Sequence, residues 1–360
     1  MNIALVIGTR PQIIKSAPII HASKNFSELD IAIFHTGQHY EYEMSKIFFN
    51  EMNLPDPHMN LGIGSGTHAW QTGNMLMKLE EAFHKYNPDV VLVPGDTNST
   101  LAGALAAAKM GIPVAHVESG ARCFDMGMPE EVNRRLTDHC SDTLFTVSEW
   151  CRNQLLKEGI REEDVFLVGD TMFESIQNHE KDIEGNDILE RIGVTKPYYV
   201  LTVHRAENTE NDKRLKSIFK VILELDHRVV FPCHPRTRNR LIETGLMGEV
   251  ESSSNMVLQR PVSYYSMLKL VRDAEITFTD SGGIQKEAYW LDTPCVTLRD
   301  NTEWRETIAQ DMNALVGADP GKIIEAEEVY KKNRPARKQN PYDFGGASNK
   351  IIKTLLERYA

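Results

Sequence analysis

Cysteine is scarce in this chain, and its cysteines form no pattern. Five of them, at 123, 140, 151, 233 and 295, are odd in number and show no Cys-x-x-Cys spacing. That argues against a disulfide framework or a zinc site and fits reduced thiols. No apolar run reaches the roughly 20 residues that a membrane span needs. The amino terminus, MNIALVIGTRP, lacks a basic start and a small-residue cleavage site and reads as a first strand, so a soluble, cytoplasmic protein is expected. Basic charge is also short. A net charge of −11 argues against nucleic acid or an anionic membrane as partner, so a polyanionic ligand must be met by local cations. Missing too are GxGxxG, the P-loop, GxSxG and HExxH; the first turn reads Gly8-Thr9-Arg10-Pro11-Gln12. NAD is therefore unexpected, and no metal constellation stands out.

What the chain does have is alternation. Hydrophobic residues at 41% and charged ones at 25% suit a globular protein, and 360 residues suit two domains of roughly 150 each. Apolar runs at 2–7, 30–35, 89–93, 112–117 and 143–147 are each followed by a helical pattern. The same rhythm restarts at 198–203, 228–233, 275–279 and 294–298, after a charged junction between 168 and 195. Strand–helix alternation predicts parallel sheets with right-handed crossovers. The expected fold class is α/β, with two Rossmann-like doubly wound domains facing a cleft. The expected boundaries are 1–168, 169–345 and a terminal helical segment, 346–360.

The informative residues stand where apolar runs stop. The stretch HVESGARCFDMGMPEEVNRRLTD, His116 to Asp138, crowds Glu118, Glu130 and Glu131 with Arg122, Arg134 and Arg135 between a strand and a helix. Open α/β sheets place ligands at such carboxyl ends, although a solvated loop with acidic residues suiting a helix dipole is the plain alternative. Arg10 and Lys15 flank a helix start that favours anions. Asp96 reads equally as a cap-region residue and as a ligand group. Gly37, Gln38 and His39 end the second strand. In the second half, Ser281-Gly282-Gly283 lets backbone N–H groups approach a diphosphate. Glu287, one turn on, could accept both ribose hydroxyls, unless it is merely a surface glutamate. His204 and His234 at strand ends are each as consistent with core histidines. Asp96, Glu118, Glu130 and His204 together offer acid, base and electrostatic groups able to take and return a proton.

Taken together, GTRPQIIKSAPII, TGQHYEYEM, GDTNSTLAGALAAAK, HVESGARCFDMGMPEEVNRRLTDH, TVHRAEN, HPRT, TDSGGIQKEA and TLRDNTEWRET resemble the non-hydrolysing UDP-N-acetylglucosamine 2-epimerases, in order and spacing across nearly the whole chain. The resemblance implies a glycosyltransferase-B-like fold whose terminal helix crosses back onto the first domain. It implies anti elimination of UDP through 2-acetamidoglucal and re-addition to give the manno epimer, with no cofactor, in supply of cell-surface polysaccharide precursors. By position, Asp96, Glu118 and Glu130 are the acid/base candidates beside Arg134. His204, Arg10, Lys15, Ser281, Gly282 and Gly283 fall near the diphosphate, and Glu287 on the ribose. Gln38, His39, Gln71 and His234 match positions for an activating second UDP-sugar. A homodimer is common among such enzymes. Three departures stand out: Pro-Gln for Pro-Glu, ESGAR for EAGLR, and TEWRE for TERPE. The first and third resemble relatives acting on UDP-2,3-diacetamido-2,3-dideoxyglucuronic acid. A hydrolysing epimerase and a glycosyltransferase of the same fold are the further alternatives.

Overall fold

The structure, a computed structural model, describes residues 1–38 and 42–360. It divides into two units, 1–178 with 341–360, and 179–340. The strands of the first unit are β1 (Asn2–Ile7), β2 (Asp30–His35), β3 (Met59–Asn60), β4 (Val90–Pro94), β5 (Val114–Ser119), β6 (Thr143–Thr146) and β7 (Val165–Leu167). They lie in the order β3-β2-β1-β4-β5-β6-β7, every pairing parallel. The central strands β4 and β5 are buried along their whole length, because helices cover both faces of a parallel sheet and leave no polar side.

The second unit repeats the plan with β8 (Tyr198–Thr202), β9 (Arg228–Pro232), β10 (Met256–Gln259), β11 (Ile276–Thr279), β12 (Cys295–Thr297) and β13 (Asn313–Leu315). Their order is β10-β9-β8-β11-β12-β13, again all parallel. In each sheet the chain first winds outward and then returns to the other side of its first strand. The reversal falls between β1 and β4 in one unit and between β8 and β11 in the other. Loops leaving such a switch point diverge, which opens a crevice for ligands at the carboxyl ends of the strands.

The unit boundary falls at 178/179, not at 168/169. The Thr171–Asn178 helix packs on the Arg10–Ser23 helix and so belongs to the first sheet. The chain re-enters that unit at 341, not 346, because the Tyr342 carbonyl accepts the Asp170 N–H at 3.0 Å. The final helix, Ala347–Tyr359, packs on the same two helices. Ser348 donates to Glu174 from its N–H at 2.8 Å and its Oγ at 2.6 Å, and Arg358 pairs with Asp164 at 2.8 Å. Ile351, Ile352 and Leu355 are wholly buried. Leu355→Ala should therefore cost about 2–5 kcal/mol of stability in urea unfolding; a loss under about 1 kcal/mol, as for surface substitutions, would mean that this helix is not part of the first unit's core.

Candidate active site

At the first switch point Gln12 ties two strand ends together. Its Oε1 accepts the Gly8 N–H at 2.8 Å, and its Nε2 donates to the Pro94 carbonyl and to Thr100 Oγ1, each at 3.0 Å. These neighbours fix the orientation of the amide. A glutamate here could accept but not donate, so buried packing accounts for the glutamine of the Pro-Gln variant.

Beyond these strand ends stand the charges. Glu118 occupies a left-handed backbone conformation, φ +71°, where β5 shifts register between Val117 and Ser119. Such a bulge re-aims a side chain, and the conformation costs about 1–3 kcal/mol unless its surroundings hold it. Lys15 Nζ lies 2.5 Å from Glu118 Oε1, both side chains buried. A Cβ on Gly95 would come within 3.1 Å of that ammonium, so the glycine leaves room for the pair.

The Pro129–Cys140 helix supplies the rest. Glu131 is fully buried and accepts from Cys123 N–H at 3.0 Å, Arg134 Nε at 3.1 Å, Arg134 Nη2 at 2.9 Å and Arg135 Nε at 3.0 Å. Held in this way, Arg134 reaches Asp96 Oδ2 with Nη1 at 2.6 Å. Asn133 Nδ2 donates to the Asp96 carbonyl at 3.0 Å. Burial alone would raise both carboxyls, and it does raise Asp96 above its ordinary 3.8, with Arg134 and Lys15 pulling down and Glu130 and Glu118 adding to the rise. On Glu131 burial loses: Arg134, the Cys123 N–H and Arg135 hold it below its ordinary 4.5. Asp96, Glu118, Glu130, Lys15 and Arg134 thus form one electrostatic cluster. Arg10 opens the Arg10–Ser23 helix that also carries Lys15, with its guanidinium 5.5 Å from the Phe48 ring centre, and burial lowers it from its ordinary value.

Gln38 and Gln71 meet in the same unit. Gln71 Nε2 donates to the Gln38 and Gly64 carbonyls at 3.3 and 2.8 Å, while Gln38 Oε1 accepts from Ser99 N–H and Oγ at 3.0 and 2.7 Å. His39 lies outside the described residues.

In the second unit Asp280 organises the switch point. Wholly buried, it accepts the N–H groups of His204 and Arg205 at 3.0 Å each and Asn208 Nδ2 at 3.1 Å. His204 keeps its side chain 38% exposed beside that carboxylate. Ser281 caps the Gly282–Trp290 helix by accepting the Ile284 N–H at 3.4 Å, and that helix also carries Gly283 and the buried Glu287. A Cβ on Gly282 would meet Glu303 Oε1 at 3.3 Å and Trp304 Nε1 at 3.5 Å. Trp304 lies under the Lys286 ammonium, 3.8 Å from its ring centre, so the tryptophan of TEWRE packs against a residue of SGGIQKEA. His234 caps the Pro235–Glu243 helix through Nδ1, its ring 6.0 Å from that of His204.

Two anchors lay outside the expected site list, Glu131 and Asp280, along with Gln12 and Asn133. Asp280 was foreshadowed by its place just before Ser281-Gly282-Gly283, and Glu131 by its spacing of three and four from Arg134 and Arg135.

Comparison with known proteins decides the family. The family model described as UDP-N-acetylglucosamine 2-epimerase matches residues 21–356. The chain belongs to this family. It is 48% identical over 361 residues to a UDP-N-acetylglucosamine 2-epimerase homolog of Methanococcus maripaludis, covering 99% of each chain. A crystal structure of the Methanocaldococcus jannaschii UDP-GlcNAc 2-epimerase, in complex with UDP-GlcNAc and UDP, superposes with a TM-score of 0.94 at 46% identity, covering 99% of this chain and 100% of that one. A third relative, the UDP-2,3-diacetamido-2,3-dideoxy-D-glucuronate 2-epimerase of Pseudomonas aeruginosa, is 40% identical over 364 residues, 99% of this chain and 100% of that protein. As in other 2-epimerases of this family, the reaction class is isomerisation.

The epimerase fold has an acid-labile side. Glu131 is held below its ordinary 4.5, so its stabilisation is complete above that value and is lost as pH falls through the lower folded-state value. Unfolding free energy should fall as pH drops below about 5, with a shallower slope in Glu131→Gln; an unchanged slope would remove Glu131 from the acid titration.

Proposed function

We propose that this chain interconverts UDP-N-acetylglucosamine and UDP-N-acetylmannosamine. The C2–H and C1–O bonds break, a C1=C2 double bond forms, and UDP leaves; its oxygen then re-adds to C1 while C2 takes a proton on the opposite face. The observation that carries the reading is the cluster of three carboxylates with Lys15 and Arg134 at one switch point, in a chain of this family. Asp96 is the carboxyl that burial moves toward its protonated form, which suits a proton donor. Glu118, with the Lys15 ammonium at 2.5 Å, suits the acceptor, and Glu130 completes the set. Within the second unit, the helix start at Ser281, Gly282 and Gly283 with His204 suits the diphosphate, and Glu287 the ribose. Arg10 offers a guanidinium for phosphate. None of these steps calls for a redox cofactor.

The uronic acid reading, a 2-epimerase of UDP-2,3-diacetamido-2,3-dideoxyglucuronic acid, rests on the 40% identical Pseudomonas relative. Proton NMR of UDP-N-acetylglucosamine with the protein in deuterated water separates the two. A new manno anomeric signal, deuterium at C2 and UDP still attached are expected. Free N-acetylmannosamine would indicate a hydrolysing enzyme, and an unchanged spectrum would transfer the reading to the uronic acid. In the same assay Glu118→Gln should abolish turnover while UDP binding persists, whereas Glu287→Ala should mainly weaken binding; near-normal turnover by Glu118→Gln would sink the assignment of the acceptor.

We further propose a cytoplasmic homodimer. Trp70 and Met77 are about half exposed, seven residues apart on one stripe of the His68–Tyr86 helix, a face that a second copy would cover. Trp70→Glu should shift the protein toward monomer in sedimentation; a monomeric wild type would refute the dimer.

A further inference from the structure

The strand ends carrying Asp96 and Glu118 share a support that the reaction scheme does not use. His116 is wholly buried in β5, with Nε2 2.7 Å from the Gly95 carbonyl and Nδ1 2.6 Å from Asp138 Oδ1. A carbonyl oxygen only accepts, and so does a carboxylate. Both ring nitrogens must therefore carry hydrogen, which makes the ring an imidazolium. The other oxygen of Asp138 accepts the Gly120 N–H at 3.2 Å and pairs with Arg122 Nη2 at 2.6 Å. Arg122 in turn forks onto Glu158 at 3.0 and 2.8 Å and donates to the Ala121 carbonyl at 2.8 Å. Two cations and two carboxylates thus balance, as buried charges must.

The targets of this unit are specific. Gly95 directly precedes Asp96, and Gly120 stands two residues beyond Glu118. Gly120 has φ +81°, and a Cβ there would strike the Cys151 carbonyl at 2.3 Å, so the backbone is confined from both sides. A histidine that only filled the core could stay neutral with one partner. This one uses both nitrogens, one on the Gly95 carbonyl and the other on the carboxylate that holds Gly120.

We infer that His116 is a positioning residue for the epimerisation: through the Gly95 carbonyl and through Asp138 it fixes the backbone that carries Asp96 and Glu118. This rests on the epimerase reading above.

Two substitutions separate the two bonds. Asparagine puts its amide near the place of Nδ1 and keeps the Asp138 contact, while leaving the Gly95 carbonyl unbound. Glutamine reaches the place of Nε2 and keeps Gly95. His116→Asn should lower kcat about 100-fold, the scale of a displaced catalytic group, with KM for the UDP-sugar nearly unchanged. His116→Gln should stay within about tenfold of wild type. A near-wild-type kcat in folded His116→Asn, or losses confined to thermal stability, would overturn the inference. Should either variant fail to fold, nitrogen-15 NMR of the wild-type histidines decides. Two protonated nitrogens on His116 are expected, and one bare nitrogen would overturn the inference whatever the activity. A wild type that does not epimerise any UDP-sugar while showing the imidazolium would instead bring down the epimerase reading, and the positioning role with it.

Discussion

Each sheet depends on a buried carboxylate beside its switch point. Asp280 gathers the N–H groups of two successive residues after β8, and Asp138 gathers His116 of β5 with Gly120 and Arg122 just beyond it. A carboxylate with no partners in the interior would be heavily penalised. Each is therefore stable only with its donors in place, and the loops that supply the donors have little freedom to move elsewhere. Burial pushes Asp138 upward, and His116 and Arg122 more than reverse it, so the carboxyl stays below its ordinary range. The loops at a ligand crevice, usually the mobile part of a fold, are here tied to its least hydrated charges.

The same rule separates carboxylates that lie close together. Glu131 and Asp96 both contact Arg134, yet their environments move them in opposite directions. Glu131 is fully buried with four donors on its two oxygens, so its charged form is the bound form. Asp96 has Arg134 on one oxygen but feels the two neighbouring carboxylates Glu130 and Glu118, so burial wins. One carboxylate becomes a fixed anchor and the other becomes able to hold a proton. Pairs of groups pushed apart in this way are how a single site obtains distinct acid and structural roles.

Much of this was legible in the sequence, and the rest was hidden for identifiable reasons. Long apolar runs ending in Gly-Thr-Arg, Gly-Asp-Thr or Asp-Ser-Gly announce β1, β4 and β11 and put Arg10, Asp96 and Ser281 at strand ends. β3 and β13, of two and three residues, are too short to show any period. The start of the Pro320–Lys332 helix is signalled by Asp319 before Pro320. Gln12 was unreadable for a different reason. Its partner, the Pro94 carbonyl, is 82 residues away, and no local pattern states which backbone groups a buried amide will face. Asp138 shares that property, since its role exists only once the sheet has brought strand ends together.

The variant residues that raised the question of substrate are settled by the same long-range packing. The glutamine of Pro-Gln is 1% exposed and needs its amide to join Gly8, Pro94 and Thr100. The tryptophan of TEWRE is 4% exposed and lies against Lys286, itself 1% exposed. A buried ammonium needs a compensating partner, and the face of an indole is one that requires no second charge. Each variant thus has a partner within its own unit that explains its chemistry without the sugar. Neither residue then argues for a uronic acid, whose extra carboxylate would call for a cation rather than an indole. The preference for the amino sugar rests on relatives of 48% and 46% identity against one of 40%, and the variant motifs do not reverse it.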